Sequence, residues 1–218
     1  MPSLGWGTPP ATSSSDDPLA ISTPSPMPIR LVQLPSLEPV RLDHWQADDK
    51  PLVFDLDGTL VAGDTARRIW AAALGGAGAW SWPKYFGLSH DAIALSAKIW
   101  SFEALESSDK IQAVLAQMDL NLPIIEHAKS AQTARRELWL VSGTLQPVAE
   151  LLAQRLQAER GLQFSVVKAS AWPINLVAQQ KAKWLAETCP GGFDYVGDHP
   201  VQDQRVWQAA RRGYRVLS

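Results

Sequence analysis

Cysteine is almost missing from this sequence: Cys189 is the single one in 218 residues. That excludes an internal disulfide and leaves no cysteine cluster for a zinc site. A charge excess is missing as well. With 20 lysines and arginines against 22 aspartates and glutamates the formal net charge is -2, and the mixed signs leave no basic stripe to track a nucleic acid. No stretch approaches the roughly 20 continuous apolar residues of a membrane span. The first residues lack the basic region and apolar core of a secretory signal. These absences predict a soluble protein in a reducing, cytoplasmic setting, without a nucleic-acid partner. No internal repeat is visible.

Large aliphatic residues are scarce at the start. Met1 to Pro28 consists mainly of Pro, Ser, Thr, Gly and Ala, and such a segment buries too little surface to offset its ordering entropy. Residues 1–47 therefore read as a disordered or extended tail, with Met27 as a second candidate start. Within 29–47, Ile29, Leu31, Val32 and Leu34 allow an arm laid along the domain.

From Lys50 onward, β-rich runs alternate with segments of helical periodicity. The runs are Pro51–Asp55, Glu137–Val141, Gln163–Val167, Phe193–Val196 and Tyr214–Leu217. Alternation of this kind predicts an α/β domain, a Rossmann-like parallel sheet sandwiched by helices. Between Asp64 and about Asn121 the pattern is helical alone, with Ile69, Ala72 and Ala73 and later Ile111, Val114, Leu115 and Met118 at helical spacing. The simplest organisation is a core of residues 48–62 and 122–218 with a small helical cap, 63–121, inserted after the first strand.

Chemistry-bearing residues stand where these strands should end. Asp55-Leu56-Asp57-Gly58-Thr59 follows Leu52-Val53-Phe54. It sets two carboxylates on one face of a strand end, where one can attack phosphorus and the other handle a proton. The same string also suits a calcium loop or a plain turn. Ser142-Gly143-Thr144 precedes a predicted helix from about Gln146 to Gln157, so it is either an anion cradle or an ordinary helix cap. Lys181 offers the fixed positive charge that phosphoryl transfer to a carboxylate needs, with Lys183 as competitor and solvent exposure as the bland alternative. Asp198 and Asp203, after Phe193-Asp194-Tyr195-Val196, can join Asp55 around a hard cation or simply form a turn and a helix start. His199 carries no assignment. All four pieces follow strands, and the carboxyl ends of parallel strands share one edge, so these residues can converge.

Taken in order, the four pieces resemble the motifs of the haloacid dehalogenase-like hydrolase superfamily, over about Lys50 to the C-terminus. Within it, Asn175-Leu176 before Lys181, Phe193 to Asp198, and Val206-Trp207 are most similar to domains found alone or fused to UbiA-type prenyltransferases. The resemblance implies a Mg2+-dependent phosphomonoester hydrolase acting on a small phosphorylated substrate. Asp55 would be nucleophile and metal ligand, and Asp57 general acid/base and backbone-carbonyl ligand. Ser142 and the Gly143 amide would bind phosphoryl oxygens, and Lys181 would stabilise the phosphoaspartate. Asp198 would bind the metal, and Asp203 would complete its shell or hold Lys181. Dehalogenases of the superfamily lack the second aspartate and its transport ATPases carry threonine there, so Asp57 favours a phosphatase or phosphomutase. One departure is that Asp203 stands five positions after Asp198 where many members have four, with Gln202 at the usual place.

Two other functions fit the same motifs: a phosphotransferase or phosphomutase of this fold, and a catalytically silent binding or regulatory subunit. Trp80, Trp82, Tyr85 and Phe86 next to Gly75-Gly76-Ala77-Gly78 can pack the cap. Equally, they can form a lid or a peripheral contact with a membrane or an isoprenoid-linked phosphate.

Overall fold

The structure is a computed structural model that describes residues 28–75, 90–105 and 107–217. The Met1–Met27 segment and the aromatic cluster Trp80, Trp82, Tyr85 and Phe86 lie outside the described residues.

Among the described residues seven strands form one sheet: β1 (Arg30–Gln33), β2 (Glu38–Pro39), β3 (Leu52–Phe54), β4 (Leu138–Leu145), β5 (Val166–Ser170), β6 (Asp194–Gly197) and β7 (Arg212–Leu217). Their order is β2-β1-β7-β6-β3-β4-β5. The five strands from β7 to β5 are parallel, and β1 and β2 add an antiparallel border. Among the described residues seven α-helices accompany them: α1 (Thr65–Ala73), α2 (His90–Glu103), α3 (Ser108–Ala116), α4 (Leu122–Thr133), α5 (Gln146–Arg160), α6 (Ala178–Thr188) and α7 (Gln204–Ala209). The protein thus has the Rossmann-like α/β fold its alternating pattern predicts.

Period-two alternation divides the core between the two sheet faces. Leu52, Phe54, Leu138, Leu140 and Val196 pack with α4 and α5 residues such as Ile124, Val148 and Leu152. Val53, Trp139, Val141 and Tyr195 face the other way, onto Leu185 of α6 and Val206 of α7. Both sides of the central strands are apolar, which is what a sheet covered on both faces requires. Local chemistry sets the helix limits. The Asp64 carboxylate accepts from the Arg67 N–H at 3.0 Å and opens α1, a proline starts α5, and Gly161 ends it at φ 72° in the left-handed region.

The arm expected over 29–47 takes the form of an added edge. Leu31 and Val32 are buried on β1, and Arg30 lies opposite Leu217 of β7. Further along, the Trp45 indole is buried and donates to Nδ1 of His127 on α4 at 3.2 Å. The strand expected at Gln163–Val167 lies three residues later, because α5 runs to Arg160 and residues 162–165 are needed to return the chain to the sheet. Among the described residues, no helix is long and apolar enough to cross a membrane.

Candidate active site

Asp55, Ser142 and Asp198 all reach the carboxyl edge of the parallel strands, where β3, β4 and β6 lie side by side. Lys181 joins them from the first turns of α6. Its ammonium lies 3.0 Å from Asp55 Oδ1 and 3.7 Å from Asp203 Oδ1, with both carboxylates buried. It also donates to the Tyr195 hydroxyl at 3.0 Å, which in turn donates to Asp203 Oδ1 at 2.7 Å. Burial opposes the lysine's charge, but Asp55 and Asp203 outweigh it and hold its pKa above the ordinary lysine value. Lys183, two residues on, is exposed and stands 3.9 Å from Glu187.

Asp57 is turned into a different environment. Its oxygens accept from the Thr65 N–H at 2.9 Å and the Thr65 hydroxyl at 3.1 Å, and Thr65 Oγ1 lies 2.7 Å from Thr144 Oγ1. Burial, helped by the negative charge of Asp64, pushes the Asp57 pKa up to about 7. The two carboxylates at one strand end are therefore unlike: one rests against a cation, the other is held by hydroxyl and amide.

The chain around Ser142 leaves its ladder. Pairing of β4 with β5 shifts between Val141 and Leu145, so the intervening residues are freed from the sheet. The Ser142 hydroxyl oxygen accepts from the Thr144 N–H at 3.2 Å, which leaves its hydrogen to donate elsewhere. Ser142 is not a helix cap, since Leu145 occupies that position in α5.

Asp198 and Asp203 are brought together with Asp55: one carboxylate oxygen of each lies within 4.8 Å of the others. Asp203 occupies the cap position of α7, yet its carboxylate makes no cap hydrogen bond. It faces inward, and its Oδ2 accepts from the His199 N–H at 3.0 Å. Burial first, then the charges of Asp55 and Asp203, raises the Asp198 pKa to about 6. Gly58 makes this cluster possible. At φ 70° it sits in the left-handed region, and a Cβ there would come 2.0 Å from Asp198 Oδ2. Gly58→Ala is expected to destabilise the protein by about 1–3 kcal/mol through backbone strain and to push Asp198 out of the cluster. The urea midpoint checks the first effect and divalent-cation affinity the second.

Several residues around the site carry no recognisable motif. Asn121 donates to the carbonyls of Gly58 (3.1 Å) and Thr59 (2.8 Å), fixing the loop after β3. Thr65, Thr144 and Tyr195 orient the acids. Lys98 arrives from α2, its ammonium donating to the Gly143 carbonyl at 2.6 Å and to Asn175 Oδ1 at 2.9 Å. The Lys98 signal is the spacing of Asp91, Ala94 and Lys98, one face of a helix, and all three line the site cavity of about 900 Å³. Expected residues Asp55, Asp57, Ser142, Gly143 and Asp198 line it too.

Comparison with known proteins covers much of the same stretch. A curated relative, the uncharacterized protein y4nM of Sinorhizobium fredii (strain NBRC 101917 / NGR234), is 29% identical over 164 residues. That is 73% of this chain and 28% of y4nM, so the chain spans little more than a quarter of that protein's length. Among solved structures, apo phosphoserine phosphatase is 16% identical over 75% of this chain and 84% of its own, with a TM-score of 0.48. A predicted phosphoglycolate phosphatase from Haemophilus somnus 129pt is 18% identical over 73% and 81%, with a TM-score of 0.44. Residues 52–206 match the haloacid dehalogenase-like hydrolase family. Because that match spans most of the chain and takes in every residue gathered at this sheet edge from Asp55 to Asp203, the protein belongs to the haloacid dehalogenase-like hydrolases.

Proposed function

We propose that the protein is a magnesium-dependent phosphomonoester hydrolase working through a phosphoaspartyl intermediate on Asp55. The observation that carries this reading is the contrast between the two carboxylates after β3. Asp55 rests 3.0 Å from the Lys181 ammonium, whereas Asp57, raised to about 7, holds a proton it can give up near neutrality. An Asp55 oxygen attacks phosphorus, and the bond from phosphorus to the substrate's alcohol oxygen breaks. Asp57 delivers its proton to that oxygen, so a neutral alcohol leaves. Water then attacks the phosphorus, giving a proton back to Asp57. The bond to Asp55 breaks, restoring its carboxylate and releasing inorganic phosphate.

The Ser142 hydroxyl and Gly143 amide hold phosphoryl oxygens through these steps, while Lys181 offsets repulsion between the dianion and Asp55. Tyr195 and Asp203 keep the lysine in place. The donor set fits a hard divalent cation: three clustered carboxylates exceed the charge Lys181 can balance, and their oxygens are the ligands magnesium prefers. Asp55, Asp198 and the Asp57 main-chain carbonyl would hold it, with Asp203 completing the acid group. When bound, the ion supplies positive charge to the phosphoryl oxygens and relieves repulsion among the carboxylates. The helices of 63–121 serve as a cap over the core of 48–62 and 122–218, since α1 and α2 supply Arg67, Asp91 and Lys98 to the cavity.

A panel of phosphomonoesters incubated with the protein and Mg2+ is expected to release inorganic phosphate. EDTA should lower that rate by at least about 10²-fold, with recovery when Mg2+ is restored. Failure to release phosphate from any ester in the presence of Mg2+ would sink the reading. Transfer to an added alcohol in place of water would identify a phosphotransferase instead.

A further inference from the structure

We infer that Lys98 and Asn175 form a recognition subsite for a second anionic group, a carboxylate or a phosphate, carried on the alcohol portion of the substrate. This deepens the phosphatase reading and rests on it. Lys98 is half-buried, and burial depresses its pKa. Its two acceptors, the Gly143 carbonyl and Asn175 Oδ1, are both neutral, and among the described residues it forms no ion pair. A half-buried ammonium whose hydrogen-bond partners are both neutral keeps an unbalanced charge toward the cavity, which an anion would complete.

Asn175 supplies the second observation. Its Oδ1 accepts from the Lys98 ammonium at 2.9 Å, which fixes the orientation of the amide, while the Ser170 hydroxyl, 3.3 Å from Oδ1, gives its single hydrogen to the Gly143 carbonyl at 2.8 Å. Its Nδ2 is left as a donor with no hydrogen bond to the protein among the described residues, although Asn175 is 5% exposed and lines the cavity. Two donor groups therefore sit side by side without an acidic acceptor.

Position assigns this pair to the leaving group and not to the transferred phosphoryl. Lys181 already faces Asp55 at 3.0 Å, whereas Lys98 enters the same cavity from α2, outside the parallel-strand core, and meets the Gly143 carbonyl and Asn175 instead of Asp55. The other nearby acids do not neutralise Lys98. Asp64 caps α1 through the Arg67 N–H, and Asp91 lies two turns earlier on α2. At about 900 Å³ the cavity has the size of a small-molecule site and not of a lone phosphate.

Steady-state kinetics on three esters tests the subsite: p-nitrophenyl phosphate, with no second anionic substituent, O-phospholactate, with a carboxylate, and ethylene glycol bisphosphate, with a second phosphate. The quantity to follow is kcat/KM for each ester with a second anionic group relative to p-nitrophenyl phosphate. In Lys98→Met that selectivity should fall roughly 10–100-fold for one of the two, the worth of a charge-assisted hydrogen bond, mainly through KM. Lys98→Arg should recover part of it. The ester whose selectivity falls further identifies the anion. An equal loss on all three esters, or none, would overturn the subsite and leave Lys98 as a brace between α2 and the Gly143 turn.

Binding separates this inference from the hydrolase reading. Calorimetric affinity of Asp55→Asn for O-phospholactate and for ethylene glycol bisphosphate should drop 10–100-fold for one of them when Lys98→Met is added. If the wild-type protein turns over none of the esters yet this drop is seen, the hydrolase reading fails and the subsite stands. If turnover is seen without the drop, the reverse holds.

Discussion

Asp55→Asn is expected to abolish phosphate release, lowering kcat by at least about 10⁴-fold on any ester the wild-type protein hydrolyses. The amide keeps the shape of the carboxylate but has no charge with which to attack phosphorus, and no other carboxylate occupies its position at the end of β3. Asp203 and Asp198 are near, yet the Asp203 oxygens are engaged by the Tyr195 hydroxyl and the His199 N–H. Lys181 keeps Asp203 and Tyr195 as partners after the exchange, so the variant should fold. A far-ultraviolet spectrum and melting curve like those of the wild type, together with absent turnover, are the expected pair of results. Acid-labile phosphate should also vanish from rapidly quenched protein. Residual activity above a hundredth of wild type would assign the nucleophile elsewhere.

Asp57→Asn should cost roughly 10²–10⁴-fold, the usual worth of a positioned general acid/base. Its size should depend on the leaving group. In the proposed mechanism an alkyl alkoxide needs a proton from Asp57, whereas p-nitrophenolate departs without it. For p-nitrophenyl phosphate the first step should therefore survive while attack of water on the phosphoenzyme slows. Stopped-flow absorbance should show a burst of nitrophenolate approaching one equivalent of protein, followed by slow turnover. Equal losses on alkyl and nitrophenyl esters, without a burst, would remove Asp57 from proton transfer.

Much of the site is legible in the sequence because its residues follow short apolar runs. Leu52-Val53-Phe54 and Tyr195-Val196 can be buried on both faces and little else, so the acids after them are placed by the strands. Lys181 has a weaker signal. A lysine on a helix usually faces water, and what separates it from exposed Lys183 is the helix face that Leu185, four residues later, turns to the core.

Lys98 is hidden for a different reason. Its helix belongs to the inserted segment, and the cavity it reaches is made by turns some 45 and 77 positions away in the chain. The β1 edge is obscured by the Pro- and Ser-rich text before it, and its partner β7 is near the other end of the sequence. Pairing of that kind leaves no local periodicity to read. The β5 displacement has a simpler cause: Phe164 to Val167 is the apolar part of the neighbourhood, but α5 runs to Arg160, so Phe164 lies in the return to the sheet and the ladder extends into Lys168 and Ser170.

The antiparallel course of β1 has a practical consequence for handling the protein. Arg30 is registered opposite Leu217, so the first and last described strands release the chain on the same rim as Asp55 and Asp198, and Ile29 already touches the cavity wall. A segment joined directly before β1 or directly after β7 is therefore held beside the cavity that contains Asp55 and Asp198 instead of at the far pole. Kinetic constants should be compared before and after tag removal, and a fusion intended to leave turnover undisturbed needs a linker long enough to clear that rim.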